Sequence, residues 1–313
     1  RRGFGCRDFN ARERGETGTV FELASVSKQF TAMIIMMLRR EGKLDYGDSL
    51  RKFIPELPYT GITVRHLLNH TSGLPDYQAL MDQHWDKSRI AGNDDNIEYL
   101  VRYHPSVLFL PGEKFDYSNT GYMLLATIAE RASGMDFVDM MNARILQPLG
   151  MLATGIRTRK QKHAMANVAW GHIYARGKQR FVPADSFPEF NYTIWLGNRK
   201  GPGRVSSTTS DLLRWDRALH DSKLVDQKSM NEALMPATLR NGEKSFYGFG
   251  WYLQDDPVLG KIIFHTGDNP GYKTIIMRFP DVDKTFILLN NNEHPRFDDI
   301  VAKVRALLKT ETM

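Results

Sequence analysis

The run Phe30-Thr-Ala-Met-Ile-Ile-Met-Met-Leu38 contains no charged residue, and its single polar side chain is a threonine. A helix that is apolar on every side has to be enclosed by protein or by lipid. Nine residues are far too few to cross a bilayer, which needs ~20. The run therefore predicts a central helix in a core large enough to surround it. Arg39 and Arg40, followed by Glu41 and Gly42, give that helix a basic last turn and a glycine stop. A chain of 313 residues with 42% hydrophobic and 25% charged residues can supply such a core, as one large domain or two intimate ones.

From Ala24 to about residue 220 the pattern reads mostly helical, with a second helix from about Thr120 to Ala132 and Gly134 beyond its end. Pro55, Pro58, Gly73, Pro75, Pro111 and Gly112 punctuate the loops between them. Residues 1–20 are polar, with a short strand expected near Phe4 to Phe9. After about residue 240 the period shifts toward strands. Four β-rich runs, 247–253, 261–266, 272–279 and 285–289, are separated by turn residues such as Asp255-Asp256-Pro257 and Asp268-Asn269-Pro270-Gly271, which reads as an antiparallel meander. Ile300, Val301, Val304, Leu307 and Leu308 then mark an amphipathic helix with one face for that sheet. The expectation is an α+β fold with helices flanking an antiparallel sheet. Residues 1–22 and 211–313 would form the α/β region, and 23–210 a mostly helical one.

Several functions are disfavoured. The net charge of +6 is scattered, and its densest cluster, Arg157, Arg159, Lys160 and Lys162, lacks the interleaved aromatics of a nucleic-acid surface. The lone Cys6 excludes an internal disulfide and a cysteine-based zinc site. There is no P-loop and no Gly-x-Gly-x-x-Gly, so no cofactor is expected. His66 and His70 have the i, i+4 spacing of a metal pair, but Leu67 stands where the glutamate would be and no third ligand is evident. A structural or active-site rim role is expected instead. Gly47-Asp48-Ser49-Leu50 mimics the nucleophile block of the GDSL esterases, yet none of the nine histidines has an aspartate three residues before it. Gly-x-Ser-x-Gly is absent, which excludes an α/β-hydrolase elbow. Trp85, Trp170 and Trp195 read as core packing, with an apolar acyl pocket as the alternative.

The chemistry begins at Leu23-Ala24-Ser25-Val26-Ser27-Lys28, just where the apolar helix starts. Residues i and i+3 share a helix face, so the Ser25 hydroxyl and the Lys28 amine can meet. Serine is a weak nucleophile without a neighbouring base, and a lysine acts as one only when its surroundings lower its pKa. Alone, Ser-x-x-Lys is a frequent accident. Two further stretches change its weight: Tyr117-Ser118-Asn119, in a loop ahead of a helix, and His265-Thr266-Gly267, at the end of an expected strand.

With these three motifs in order, the chain resembles the penicillin-recognising serine hydrolases, specifically their class C β-lactamase-like branch of β-lactamases, D-Ala-D-Ala peptidases, D-aminopeptidases and esterases. Residues 21–32, 62–74, 206–211 and 247–251 are similar to the family as well. The resemblance implies a β-lactamase/transpeptidase-like fold, with the site between the helical region and the sheet. It implies Ser25 as nucleophile, Lys28 as its proton-transfer partner and Tyr117 as general base. Asn119 would orient the substrate or the lysine, and His265, Thr266 and Gly267 would line the strand beside the acyl group. The oxyanion hole would use the backbone N–H groups of Ser25 and Asp268. Gly267 would let the backbone approach the substrate.

Two departures from the family pattern stand out. His265 occupies a position where dedicated β-lactamases usually carry lysine, and a histidine is mostly neutral at pH 7. An N-terminal helix and full hairpin normally precede the nucleophile, whereas 24 residues do so here. The implied activity is hydrolysis of an ester, amide or β-lactam through an acyl-serine, without metal or cofactor. The rival is a non-catalytic sensor or scaffold, with a GDSL-type esterase third. A small-molecule or peptide substrate and a bacterial periplasmic or secreted setting are expected, with the cytosol as the alternative; the oligomeric state is not readable.

Overall fold

The computed structural model describes residues 2–293 and 295–312; Arg1, His294 and Met313, which fall within the expected α/β region, lie outside the described residues. The apolar run forms the middle of a helix spanning Lys28–Arg40 in which every residue from Lys28 to Leu38 is buried. A 3-10 turn, Ala24–Ser27, leads into it. The second expected helix spans Asn119–Ser133 and ends on Gly134 in the left-handed conformation, within a residue of its expected limits at each end. Its N-cap is Ser118, whose side chain accepts from the Gly121 N–H. Asn119 is the first helical residue, and its side chain faces the site.

The C-terminal half carries the meander. Strands Tyr252–Asp256, Gly260–Asn269, Tyr272–Phe279 and Lys284–Asn290 pair antiparallel in sequence order. Neighbouring residues of a strand point to opposite faces. Accordingly, Ile263 and Ile276 join the large core around the Lys28–Arg40 helix, while Ile262, Ile275 and Met277 form a smaller cluster beneath the C-terminal helix Phe297–Thr312. That helix docks through Phe297, Val301 and Leu308. Ile300 and Leu307, assigned to the buried face from their spacing, are exposed, because the true stripe runs through Phe297, one turn ahead of the residues that were counted.

Two other expectations are corrected. The first strand of the meander begins at Tyr252 rather than Tyr247. Gly248 and Gly250 interrupt it: Gly250 has φ +81°, and a Cβ there would meet the backbone of Lys28 and Gln29 at about 3.0 Å. This turn packs directly on the start of the nucleophile helix. The stretch from Ala24 to residue 220 is also less helical than its sequence suggests. Phe21–Glu22, Gly155–Ile156 and Val205–Ser207 form a small sheet with Val205–Ser207 in the middle, and His172–Ala175 pairs with Arg180–Pro183. These strands are two to four residues long, too short to show a period. The strand expected near Phe4 to Phe9 is Cys6–Asp8, paired with Glu13–Arg14.

Candidate active site

Ser25 is held by its neighbours on both sides. Ala24 has φ +48°, unusual for a residue with a side chain. The Leu23 N–H donates to the Val205 carbonyl at 2.8 Å, and the Leu23 carbonyl accepts from Thr274 Oγ1 at 2.8 Å. Ser27 Oγ accepts from the Val205 N–H at 3.1 Å. The turn is thus pinned to a strand of the small sheet and to a strand of the large one. Gly267 is the third fixture. A Cβ on it would collide with the Leu23 carbonyl and Thr274 Oγ1. Its glycine is required by the segment that carries the nucleophile.

Lys28 Nζ lies 3.1 Å from Ser25 Oγ, 2.9 Å from Asn119 Oδ1 and 2.9 Å from the Pro202 carbonyl. Its side chain is 0 % exposed. Burial, reinforced by the Arg199 guanidinium, holds the amine well below the ordinary lysine range. Tyr117 faces the same group from its ring: Nζ sits 4.6 Å from the ring centroid. The Tyr117 hydroxyl is buried with no hydrogen-bond partner. Burial raises it well above the usual phenol range, against the opposing influence of the nearby Ser25 hydroxyl. Ser25, Lys28 and Tyr117 therefore meet as a hydroxyl, an amine whose protonated form burial disfavours, and a phenol whose ionised form burial disfavours.

His265 belongs to the support of the site. It is 1 % exposed. Its Nδ1 lies 2.6 Å from the Thr266 carbonyl, which can only accept, so Nδ1 carries the proton and Nε2 accepts from Tyr247 Oη at 2.9 Å. Burial, with the nearby Lys28 second, lowers its pKa to about 3. It is a neutral hydrogen-bonding residue packed among Tyr117, Tyr247 and Tyr252, and its side chain does not line an open strand edge as expected. Thr266, which alternates with it, is exposed.

His70 and His66 do not form a pair of ligands. His70 is buried, its Nδ1 accepts the Ser118 N–H at 3.0 Å, and its ring packs 4.3 Å from that of Tyr117. His66 completes a capping box with Thr63. Asp48 and Ser49 of the GDSL-like block likewise serve turns and caps, Ser49 accepting from the Arg51 N–H. Trp85 and Trp195 are core, whereas Trp170 stacks on His163 and lines a pocket.

A cleft of about 80 Å³ opens at Ser25 and includes Asn119, Asp268 and Asn269. Its other walls escaped the sequence reading: Glu22, Gln78, Tyr192, Arg199 and Arg204. Glu22 is 5 % exposed and forms an ion pair with Lys162. Burial by itself would raise its carboxyl, but Lys162 and Arg204 outweigh that and hold it at about 2. Residues 184–204 deliver Tyr192, Arg199 and Arg204, and nothing in their periodicity marks them; Glu22 comes from the strand Phe21–Glu22 and Gln78 from the helix Tyr77–His84.

The family model described as Beta-lactamase matches residues 1–311. Penicillin-binding protein 4* of Bacillus subtilis (strain 168) is 42% identical over 93% of the chain and 64% of its own length. Protein flp of Staphylococcus aureus (strain MRSA252) is 26% identical over 93% of the chain and 56% of its own length. The chain thus spans less than two thirds of these relatives. Among solved structures, a penicillin-binding protein from Bacillus halodurans superposes with a TM-score of 0.83 at 24% identity, over 97% of this chain and 90% of that one. A D-amino acid amidase from Ochrobactrum anthropi SV3 superposes with a TM-score of 0.77 at 25% identity, over 98% of this chain and 88% of that one. The fold is β-lactamase/transpeptidase-like, and the chain belongs to the Beta-lactamase family of serine hydrolases.

Proposed function

We propose that the protein hydrolyses an ester, amide or β-lactam carbonyl through an acyl-serine at Ser25, with neutral Lys28 as the base. The observation that carries this reading is the set of three oxygens around Lys28 Nζ. Asn119 Oδ1 and the Pro202 carbonyl can only accept hydrogen bonds, so they take both N–H groups of a neutral amine. The remaining lone pair then faces the Ser25 hydroxyl at 3.1 Å. The Ser25 proton passes to Lys28 as its oxygen attacks the carbonyl carbon. Backbone N–H groups of Ser25 and Asp268 would stabilise the oxyanion. On collapse, the leaving group takes a proton by way of Tyr117. Water then repeats the sequence on the acyl-serine and regenerates Ser25.

In this scheme Tyr117 relays a proton as a neutral phenol rather than acting as the resting base. A buried phenol, raised in pKa and with the Lys28 amine over its ring face, is poorly disposed to ionise first. The names of similar proteins, penicillin-binding protein and D-amino acid amidase, favour β-lactams and D-amino-acid amides as substrates to try beside simple esters. A neutral fluorophosphonate probe should add a single label, located on Ser25 by peptide mapping, and p-nitrophenyl butyrate should be turned over repeatedly. A folded protein that takes no label from the fluorophosphonate or from a fluorescent penicillin would rule the reading out.

A further inference from the structure

The wall of the cleft beyond Ser25 is cationic, and its charges are not balanced by protein. Arg204 is 6 % exposed, and its Nε is buried without a hydrogen-bond partner. Nε of Arg199 is in the same condition. Both residues line the cleft that opens at Ser25. Their other bonds are few: Arg199 donates to Tyr77 Oη at 2.6 Å, and Arg204 donates to the Thr193 carbonyl at 3.2 Å. Among the described residues the carboxylate buried beside them, Glu22, is bound by Lys162 and by Asn269 Nδ2, and lies 3.9 Å from Arg204. Three cations therefore share one anion. Asp268 also lines the cleft, but it is exposed, and the charges that act on it are Lys273 and Asp298, not the two arginines.

A guanidinium donor left unpaired in a buried site is costly unless something with acceptor oxygens completes it. A planar carboxylate matches the guanidinium fork. Tyr117, the leaving-group side of the proposed chemistry, does not line this wall. The space also continues: Glu22, Arg204 and Asn269 also line a pocket of about 320 Å³ whose walls include Lys162 and Trp170. We infer that Arg199 and Arg204 form a subsite for a carboxylate carried on the acyl portion of the substrate, so that the enzyme selects anionic acyl groups. The inference rests on the acyl-serine reading and names the substrate class for it.

The test compares p-nitrophenyl hydrogen adipate with its neutral isostere, p-nitrophenyl methyl adipate. The wild-type protein should favour the carboxylate in kcat/KM by tenfold or more. Arg204→Gln should bring the ratio near one, chiefly through KM, and Arg204→Lys should restore part of it. Independently of any variant, free adipate should inhibit wild-type hydrolysis of p-nitrophenyl butyrate competitively, and dimethyl adipate should not. A wild-type protein indifferent to the charge, or an Arg204→Gln variant that keeps the preference, overturns the inference. So does a selective loss with 4-carboxyphenyl butyrate, whose charge is on the leaving group. Fluorophosphonate labelling of Ser25 separates these results from failure of the acyl-serine reading itself, since that probe carries no carboxylate.

Discussion

A lysine amine has three positions for partners, and Asn119 Oδ1 and the Pro202 carbonyl fill two of them as acceptors. Its protonation state therefore decides whether the third, toward Ser25, is a lone pair or another proton. Activity should rise with pH as Lys28 loses its proton, and burial and Arg199 both place that limb well below the ordinary lysine range. Arg199→Gln removes a nearby cation, so the limb of kcat/KM for p-nitrophenyl butyrate should move to higher pH. Tyr117→Phe should lower the rate by about 10²–10⁴-fold while leaving the limb in place. A limb that follows Tyr117 and ignores Arg199 would return the role of base to the phenol. Ser25 and Lys28 were legible in the sequence because i and i+3 share a helix face. Arg199, Arg204 and Glu22 were not, because an isolated charge in a loop or a two-residue strand looks the same whether it ends in water or beside a nucleophile.

The elements of the site meet through backbone contacts as much as through side chains. Strand Gly260–Asn269 crosses the residue before Ala24 so closely that Gly267 has no room for a Cβ. Gly267→Ala has to separate that strand from the nucleophile turn. It should cost about 1–3 kcal/mol of stability, the usual range for overpacking, and lower ester turnover out of proportion to the folded fraction. Thermal melting and titration of active Ser25 with fluorophosphonate measure the two effects separately; a variant with wild-type values of both would contradict the packing argument. The long elements were visible from sequence. The helix of residues 28–40 follows from its apolar run, and the meander from its turn residues. The strands at Phe21–Glu22, Gly155–Ile156 and Val205–Ser207 were not, since strands of two or three residues exist by virtue of the partners that pair with them.

For the molecule as a whole, burying histidines as neutral groups ties stability to pH. His265 has a folded pKa of about 3 against 6.5 unfolded, and His70 is also held well below 6.5, mainly by burial. The unfolded chain binds more protons than the native one between those values, so stability rises with pH there. Its contribution is fully present above about 6.5 and is lost as pH falls toward about 3. His265 alone should remove about 2 kcal/mol between pH 7 and pH 5, a window above the ordinary carboxylate range. Urea unfolding at the two pH values should show the decrease, and His265→Gln should reduce it; an unchanged decrease in that variant would remove His265 as its source.

Read alone, the chain determined that a helix must be enclosed, that a serine and a lysine share its first turn, and that an antiparallel meander follows. Each depends on residues close together in sequence, where spacing fixes geometry. The tertiary structure decided which groups are charged. Lys28 is driven toward its neutral form, His265 becomes neutral, and Arg204 Nε is left without a partner, only when segments up to some 200 residues away remove their water. Desolvation is a property of neighbours, and the neighbours are set by the fold.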